Sequence, residues 1–130
     1  MKQYQGKNSN YQLKVDKVKQ VFHAQASGFF SEEDGASFLK DYDEITKTFP
    51  SEDYTLVIDA PELKPSSPQV ATMLESLLER YMAVPFKNRF LVTKGNAITI
   101  SQFKRLGRNI EGWTESIQYV NDFESATKGM

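Results

Sequence analysis

Residues 54–82, YTLVIDAPELKPSSPQVATMLESLLERYM, carry three physical signals in succession. Tyr54–Asp59 is a continuous apolar, β-branched run without alternation. Such a run suits a central strand covered on both faces. Pro61, Pro65, Ser66, Ser67 and Pro68 then read as a rigid polar loop. Ser67 followed by Pro68 matches a serine N-cap with proline at the first helical position. Val70, Met73, Leu74, Leu77, Leu78, Tyr81 and Met82 recur at spacings of three and four, the apolar stripe of a helix over Val70–Met82. Pro85 stops it.

Toward the N-terminus the period changes from helical to alternating. Tyr11–Val15 alternates apolar and polar residues, as a half-buried strand does. Asp16-Lys17 is a short connection, and Val18–Ser27 is a second strand with Phe22, Ala24 and Ala26 on one face and His23 on the other. The two strands predict an antiparallel hairpin. Gly28 breaks the second strand, and Ser31-Glu-Glu-Asp34 starts a helix, with a capping serine and three acids at the positive end of the dipole. Ala36, Leu39, Tyr42, Ile45 and Phe49 form its stripe, and Pro50-Ser51 ends it. Residues 1–10 are polar and aperiodic, which predicts a flexible tail.

Beyond Pro85, Arg89–Thr93 is a short strand and Gly95-Asn96 a turn. Ile98, Ile100, Phe103 and Leu106 predict a third helix that begins at Asn96 or Thr99 and ends at Gly107. Ser116–Val120 is a last strand, and Asp122–Ala126 a final helical turn. The predicted order is β-β-α-β-α-β-α-β within one domain spanning 11–126. Strands alternating with helices imply an α/β fold with a largely parallel sheet. The opening hairpin makes that sheet mixed, with the helices packed on it.

At 130 residues, one core is expected, and nine Phe and six Tyr can fill it. With no cysteine, disulfides, thiolate ligands and cysteine nucleophiles are excluded. No apolar run approaches the ~20 residues of a membrane span, and the first residues lack the apolar core of a signal peptide. The expected location is cytoplasmic.

The net charge of −1 conceals segregation along the chain. Residues 31–79 hold twelve acids and three bases, a balance of −9, whereas Lys87–Arg108 holds six bases and no acid. A basic stretch with Phe90 and Phe103 invites a nucleic-acid reading. The two aromatics are better used in the core, and no nucleic-acid motif is present, so that reading is disfavoured. An acidic protein or an anionic headgroup suits the bases at least as well.

Catalytic signatures are missing. The lone histidine, His23, has no second His or Cys for zinc and reads as structural. Acids at Glu32–Asp34 and Asp41–Glu44 lack calcium-loop spacing and read as a solvated helix face. Neither GxGxxG, GxxxxGK[ST] nor GxSxG occurs. No metal, cofactor or catalytic residue is called for, and the expectation is a non-enzyme.

Asp59 with Ser66 and Ser67 is the remaining constellation. Sites in open α/β sheets gather at the carboxyl ends of strands, and a serine at a helix start is where a phosphate meets free N–H groups. Alternatively, Ser67 only caps the helix and Asp59 only ends the strand.

The layout, and the segment VIDAPELKPSSPQVATMLESLLERY within it, resembles the STAS domain, the fold of anti-sigma-factor antagonists. In that family an apolar strand ends in Asp, a loop carries an Asp-Ser-Ser/Thr-Gly type motif, and an apolar helix follows. The resemblance implies a small STAS-like interaction or regulatory module controlled by serine phosphorylation, with Ser66 or Ser67 at the modified position. It implies a protein partner, a kinase-type regulator among the options, and a homodimer is left open. Candidate partner contacts are Asp59, Glu62, Lys64, Gln69 and Lys94. Pro65 and Pro68-Gln69 stand where the motif has Asp and Gly. The alternative is a small-molecule or lipid carrier with a pocket of more than about 300 Å³ between sheet and helices.

Overall fold

The computed structural model describes residues 1–65 and 67–128. Its strands are β1 (Lys2–Gln5), β2 (Ser9–Asp16), β3 (Val21–Phe30), β4 (Thr55–Asp59), β5 (Leu63–Pro65), β6 (Asn88–Val92) and β7 (Ile117–Val120). Its helices are α1 (Glu32–Ile45), α2 (Pro68–Ala83), α3 (Ala97–Gly107), α4 (Trp113–Ser116) and α5 (Phe123–Thr127). The strands form one mixed sheet in the order β1-β2-β3-β4-β6-β7, with β5 also paired to β3. β2 pairs antiparallel with both β1 and β3, and every pairing from β3 onward is parallel.

The sheet is covered unequally. Phe22, Ala24, Leu56, Ile58 and Leu91 face the main core, where Phe38, Tyr42, Leu74, Leu78, Phe103 and Trp113 meet them from the helices. The opposite face carries Val21, Val57 and Val92, covered by Ala126 and Phe123 of α5. This explains why β4 lacks alternation: Leu56 and Ile58 point one way, Val57 the other, and all three are buried. Over β1 and β2 the second face is open and polar, with Gln3, Gln5, Asn10 and Gln25 exposed.

The predicted elements from Tyr11 onward are present, with three corrections at the N-terminal side. Residues expected to be a tail form β1, paired in register from Lys2↔Leu13 to Gln5↔Asn10. Its alternation uses Lys2 and Tyr4 instead of aliphatic residues. Tyr4 stacks on Tyr11 at 5.0 Å and donates to Asp34 at 2.9 Å, while Lys2 reaches Glu44 at 2.8 Å. The β2–β3 connection is longer than Asp16-Lys17, and Val18 lies in it, 94% exposed. Gly28 does not end β3. It adopts φ +89°, where the backbone of Asn8 and Ser9 leaves no room for a Cβ, and the strand continues to Phe30.

Gly28 also marks a change of partner. Val21–Gln25 pair with β4, but Gly28–Phe30 pair with β5. Part of the predicted polar loop is therefore strand, because the chain after Glu62 returns to satisfy β3.

The helix ends follow their sequence signals. Ser31 caps α1 in a reciprocal box with Asp34. In α1 the buried stripe is Phe38, Tyr42 and Ile45, with Ala36 exposed. Arg89 reaches back to the carboxyl end of α2, donating from Nε to Tyr81 O at 2.9 Å and from Nη2 to Val84 O at 2.8 Å. In α3 the buried stripe is Thr99, Phe103, Leu106 and Gly107. Ile98, expected in the core, is 76% exposed. The helix ends at Gly107 as expected, and the glycine leaves room for the Trp113 indole, which a Cβ there would overlap.

Candidate functional site

The parallel strands β3, β4, β5 and β6 bring their carboxyl ends, and the starts of α2 and α3, to one rim. The rim is held by hydrogen bonds among its loops. Asn96 caps α3, accepting from Ile98 N at 3.0 Å and Thr99 N at 3.2 Å. Its Nδ2 donates to Pro61 O at 3.1 Å, and Thr99 Oγ1 donates to the same carbonyl at 2.6 Å. Gly28 N donates to Glu62 O at 3.3 Å. The β4–β5 loop is thus pinned to both β3 and α3.

A shallow open groove runs across this rim, lined by Ser27, Gly28, Phe29, Glu62, Lys64 and Asn96. Two of the predicted contacts, Glu62 and Lys64, therefore lie together. The Lys64 ammonium sits 5.4 Å from the centre of the Phe29 ring. Phe29 is 54% exposed, although it is a large apolar side chain. Ile98, two residues past Asn96, is the second exposed apolar residue of this end. Neither was singled out from the sequence. Phe29 sits in an apolar-rich stretch, and Ile98 stands beside the buried position at the head of α3, which the polar Thr99 takes by bonding Pro61 O.

Lys94 is exposed in the β6–α3 turn with φ +52°, its N–H donating to Asn121 O at 3.0 Å. Gln69 is exposed in the first turn of α2. Ser67 is half-buried, and its Oγ accepts from Val70 N at 3.3 Å, the capping role that the Ser-Pro pair signals. Ser66 lies outside the described residues.

Asp59 faces elsewhere. It shares the second face of the sheet with Val57, and its Oδ2 lies 3.0 Å from His23 Nε2. The His23 ring stacks on Phe123 at 4.4 Å. His23 therefore has a partner that sequence spacing could not reveal, since parallel pairing of β3 with β4 brings the two together across 36 residues. The pair is mostly covered by α5, with side chains 21% and 15% exposed. Asp59 is not joined to Ser67 by any hydrogen bond among the described residues.

Among the described residues no three His, Asp or Glu side chains converge as a metal site would need. No described helix is long and apolar enough to cross a membrane. Between the sheet and α1–α3, residues such as Ala24, Ile58, Met73 and Phe103 line an apolar space of about 20 Å³. That is room for about one water-sized sphere, far below the ~300 Å³ at which drug-sized pockets begin.

No family model matches the chain, and no curated protein matches it. Among solved structures it is similar to an uncharacterized protein of the DUF3478 family with a SpoIIAA-like fold, from Shewanella loihica PV-4. The two superimpose with a TM-score of 0.65 at 14% identity, covering 92% of this chain and 90% of that one. The chain has a SpoIIAA-like, that is STAS-like, fold.

Proposed function

We propose that this protein is a non-enzymatic interaction module that binds a partner protein through the rim at the carboxyl ends of its parallel strands. The observation that carries the reading is the exposure of Phe29 and Ile98 on that rim. A monomer gains nothing by leaving two large apolar side chains in water beside a groove whose backbone is held by hydrogen bonds. A partner that covers them recovers burial energy, and a preorganised surface loses little entropy on binding. Glu62, Lys64, Gln69 and Lys94 supply the polar border that a specific interface has around its apolar centre.

Serine phosphorylation is the proposed control. A phosphate on Ser67 would add about −1.5 to −2 charges at the start of α2. The helix tolerates this, because its free N–H groups and dipole favour an anion there. The rim would change sign near Glu62, and a partner matched to the unmodified surface would be repelled. A kinase-type regulator is the first partner class to examine, on the strength of the STAS resemblance.

Affinity capture from the native host, quantified by mass spectrometry, tests the reading. The expectation is a protein retained by the unmodified chain and lost by both Phe29→Ser and Ser67→Asp, with Ser66→Asp run alongside. A captured set that is the same for all variants overturns the rim as the binding site. Loss with Phe29→Ser alone retains the site and removes the phosphate switch.

A further inference from the structure

Opposite charges separated along the sequence fare differently in the fold. Among the described residues, five of the twelve acids of residues 31–79 have side-chain partners. Lys2 lies 2.8 Å from Glu44 and 3.6 Å from Asp41, Arg80 pairs with Asp43 at 3.2 Å, and His23 holds Asp59. Asp34 is enclosed by donors from Ser31, Ser9 and Tyr4. The bases of the α3 region have no such partners. Lys94, Lys104, Arg105 and Arg108 are exposed and make no ion pair among the described residues. No acid occurs between Glu79 and Glu111, so none is available locally.

The outward face of α3 carries more than charge. Ile98, Ser101, Gln102 and Arg105, with Ala97, line one shallow open groove. Ile98 projects at its head, and the Asn96 cap and the Thr99–Pro61 hydrogen bond fix the first turn that carries it. Gln102 has a buried amide Nε2 with no acceptor among the described residues. A buried donor without an acceptor is costly.

We infer that the outward face of α3 recognises an acidic segment of a partner protein, seating an apolar side chain of that segment on Ile98 and its carboxylates on Arg105, Arg108 and Lys94. The inference rests on the interaction-module reading and specifies the chemistry of the partner. An acidic peptide fits better than nucleic acid or a membrane. Four bases spread over one short helix and its entry turn neutralise few phosphates. A single exposed isoleucine is a poor membrane anchor but an adequate pocket-edge contact for one side chain.

A phage-displayed random peptide library panned on the full chain at low salt tests this. The selected peptides should share Asp and Glu runs around one aliphatic or aromatic residue. Fluorescence polarisation with the best peptide should show affinity falling about tenfold or more for Arg105→Glu with Arg108→Glu, and about fivefold or more for Ile98→Ser. Lys14→Glu with Lys17→Glu, on the β2–β3 hairpin, should leave it unchanged. These positions are exposed, so circular dichroism should report the same fold for each variant. Peptides without acidic bias, no selected peptide, or binding that survives charge reversal on α3 overturns the inference. So does α3-dependent binding confined to duplex DNA or to phosphatidylglycerol vesicles. If charge reversal on α3 leaves the host partner captured while Phe29→Ser releases it, the acidic-segment inference fails and the rim reading stands. The converse result fails the rim reading alone.

Discussion

Replacing Asp34 with alanine removes the hub that ties the N-terminal strands to α1. Its Oδ2 accepts from Ser9 Oγ at 2.8 Å and from Ser31 N at 2.9 Å, and its Oδ1 accepts from Tyr4 Oη at 2.9 Å. Hydrogen bonds to a charged group contribute about 1.5–3 kcal/mol each, but three on one carboxylate do not add. Tyr4 lies toward solvent, which screens its share. The Ser9 hydroxyl is buried and would lose its acceptor, at a cost of about 1–3 kcal/mol. The expected loss is ~2–3 kcal/mol, a drop in Tm of ~8–12 °C for a chain of this length. Urea unfolding followed by the fluorescence of Trp113 measures it. The pH dependence has a definite sign. Burial alone pushes the Asp34 carboxyl up, but the donors from Ser31, Ser9 and Tyr4 outweigh it and hold its pKa below the ordinary 3.8. The advantage of the native chain over Asp34→Asn is therefore present above the unfolded value of 3.8 and is lost as pH falls through the lower folded value. A loss under about 1 kcal/mol at pH 7, or an advantage that stays constant as pH falls below 3.8, would refute the reasoning.

Three other substitutions probe the frame. Gly107→Ala should cost ~1–3 kcal/mol through collision with Trp113 and shift the fluorescence of this single tryptophan; an unchanged spectrum and stability would show that the indole has room. Arg89→Gln strips two carbonyls at the end of α2 of their donors and should cost ~1–2 kcal/mol in thermal unfolding. Phe29→Ser should leave stability within ~0.5 kcal/mol, since the side chain is half in water, so lost capture by that variant reports on binding.

Much of the fold was legible because hydrophobic period reports burial directly. The unbroken run at Tyr54–Asp59 predicted a strand covered twice, and the structure covers it with α1–α3 on one side and α5 on the other. The Ser-Pro start of α2 and the Ser31 cap were equally plain. β1 was not, because Lys2, Tyr4 and their neighbours form a strand by bonding to the edge of β2, and local alternation does not encode an available edge. Nor was β5, whose three residues exist as strand only because β3 outruns β4 at Gly28. The candidate site divided in the same way. Position along the chain puts Glu62 and Lys64 just past the carboxyl end of β4, and in the structure they line one groove. It could not show that Asp59 turns away toward His23, since that depends on the face of the sheet and on a parallel partner 36 residues distant. Exposure of Ile98 was hidden because the buried position at the head of α3 belongs to Thr99, a polar residue held there by a hydrogen bond to Pro61 O.

The central claim is that the rim holding Phe29 is where the partner binds. A photoreactive benzoylphenylalanine placed at position 29, and separately at position 18 as a control, tests it in living host cells. Val18 is 94% exposed in the β2–β3 turn, at the opposite end of β3 from Phe29. The account predicts a discrete covalent adduct with one partner from position 29 and none from position 18. Adducts of equal yield from both positions, or none from position 29, would contradict it.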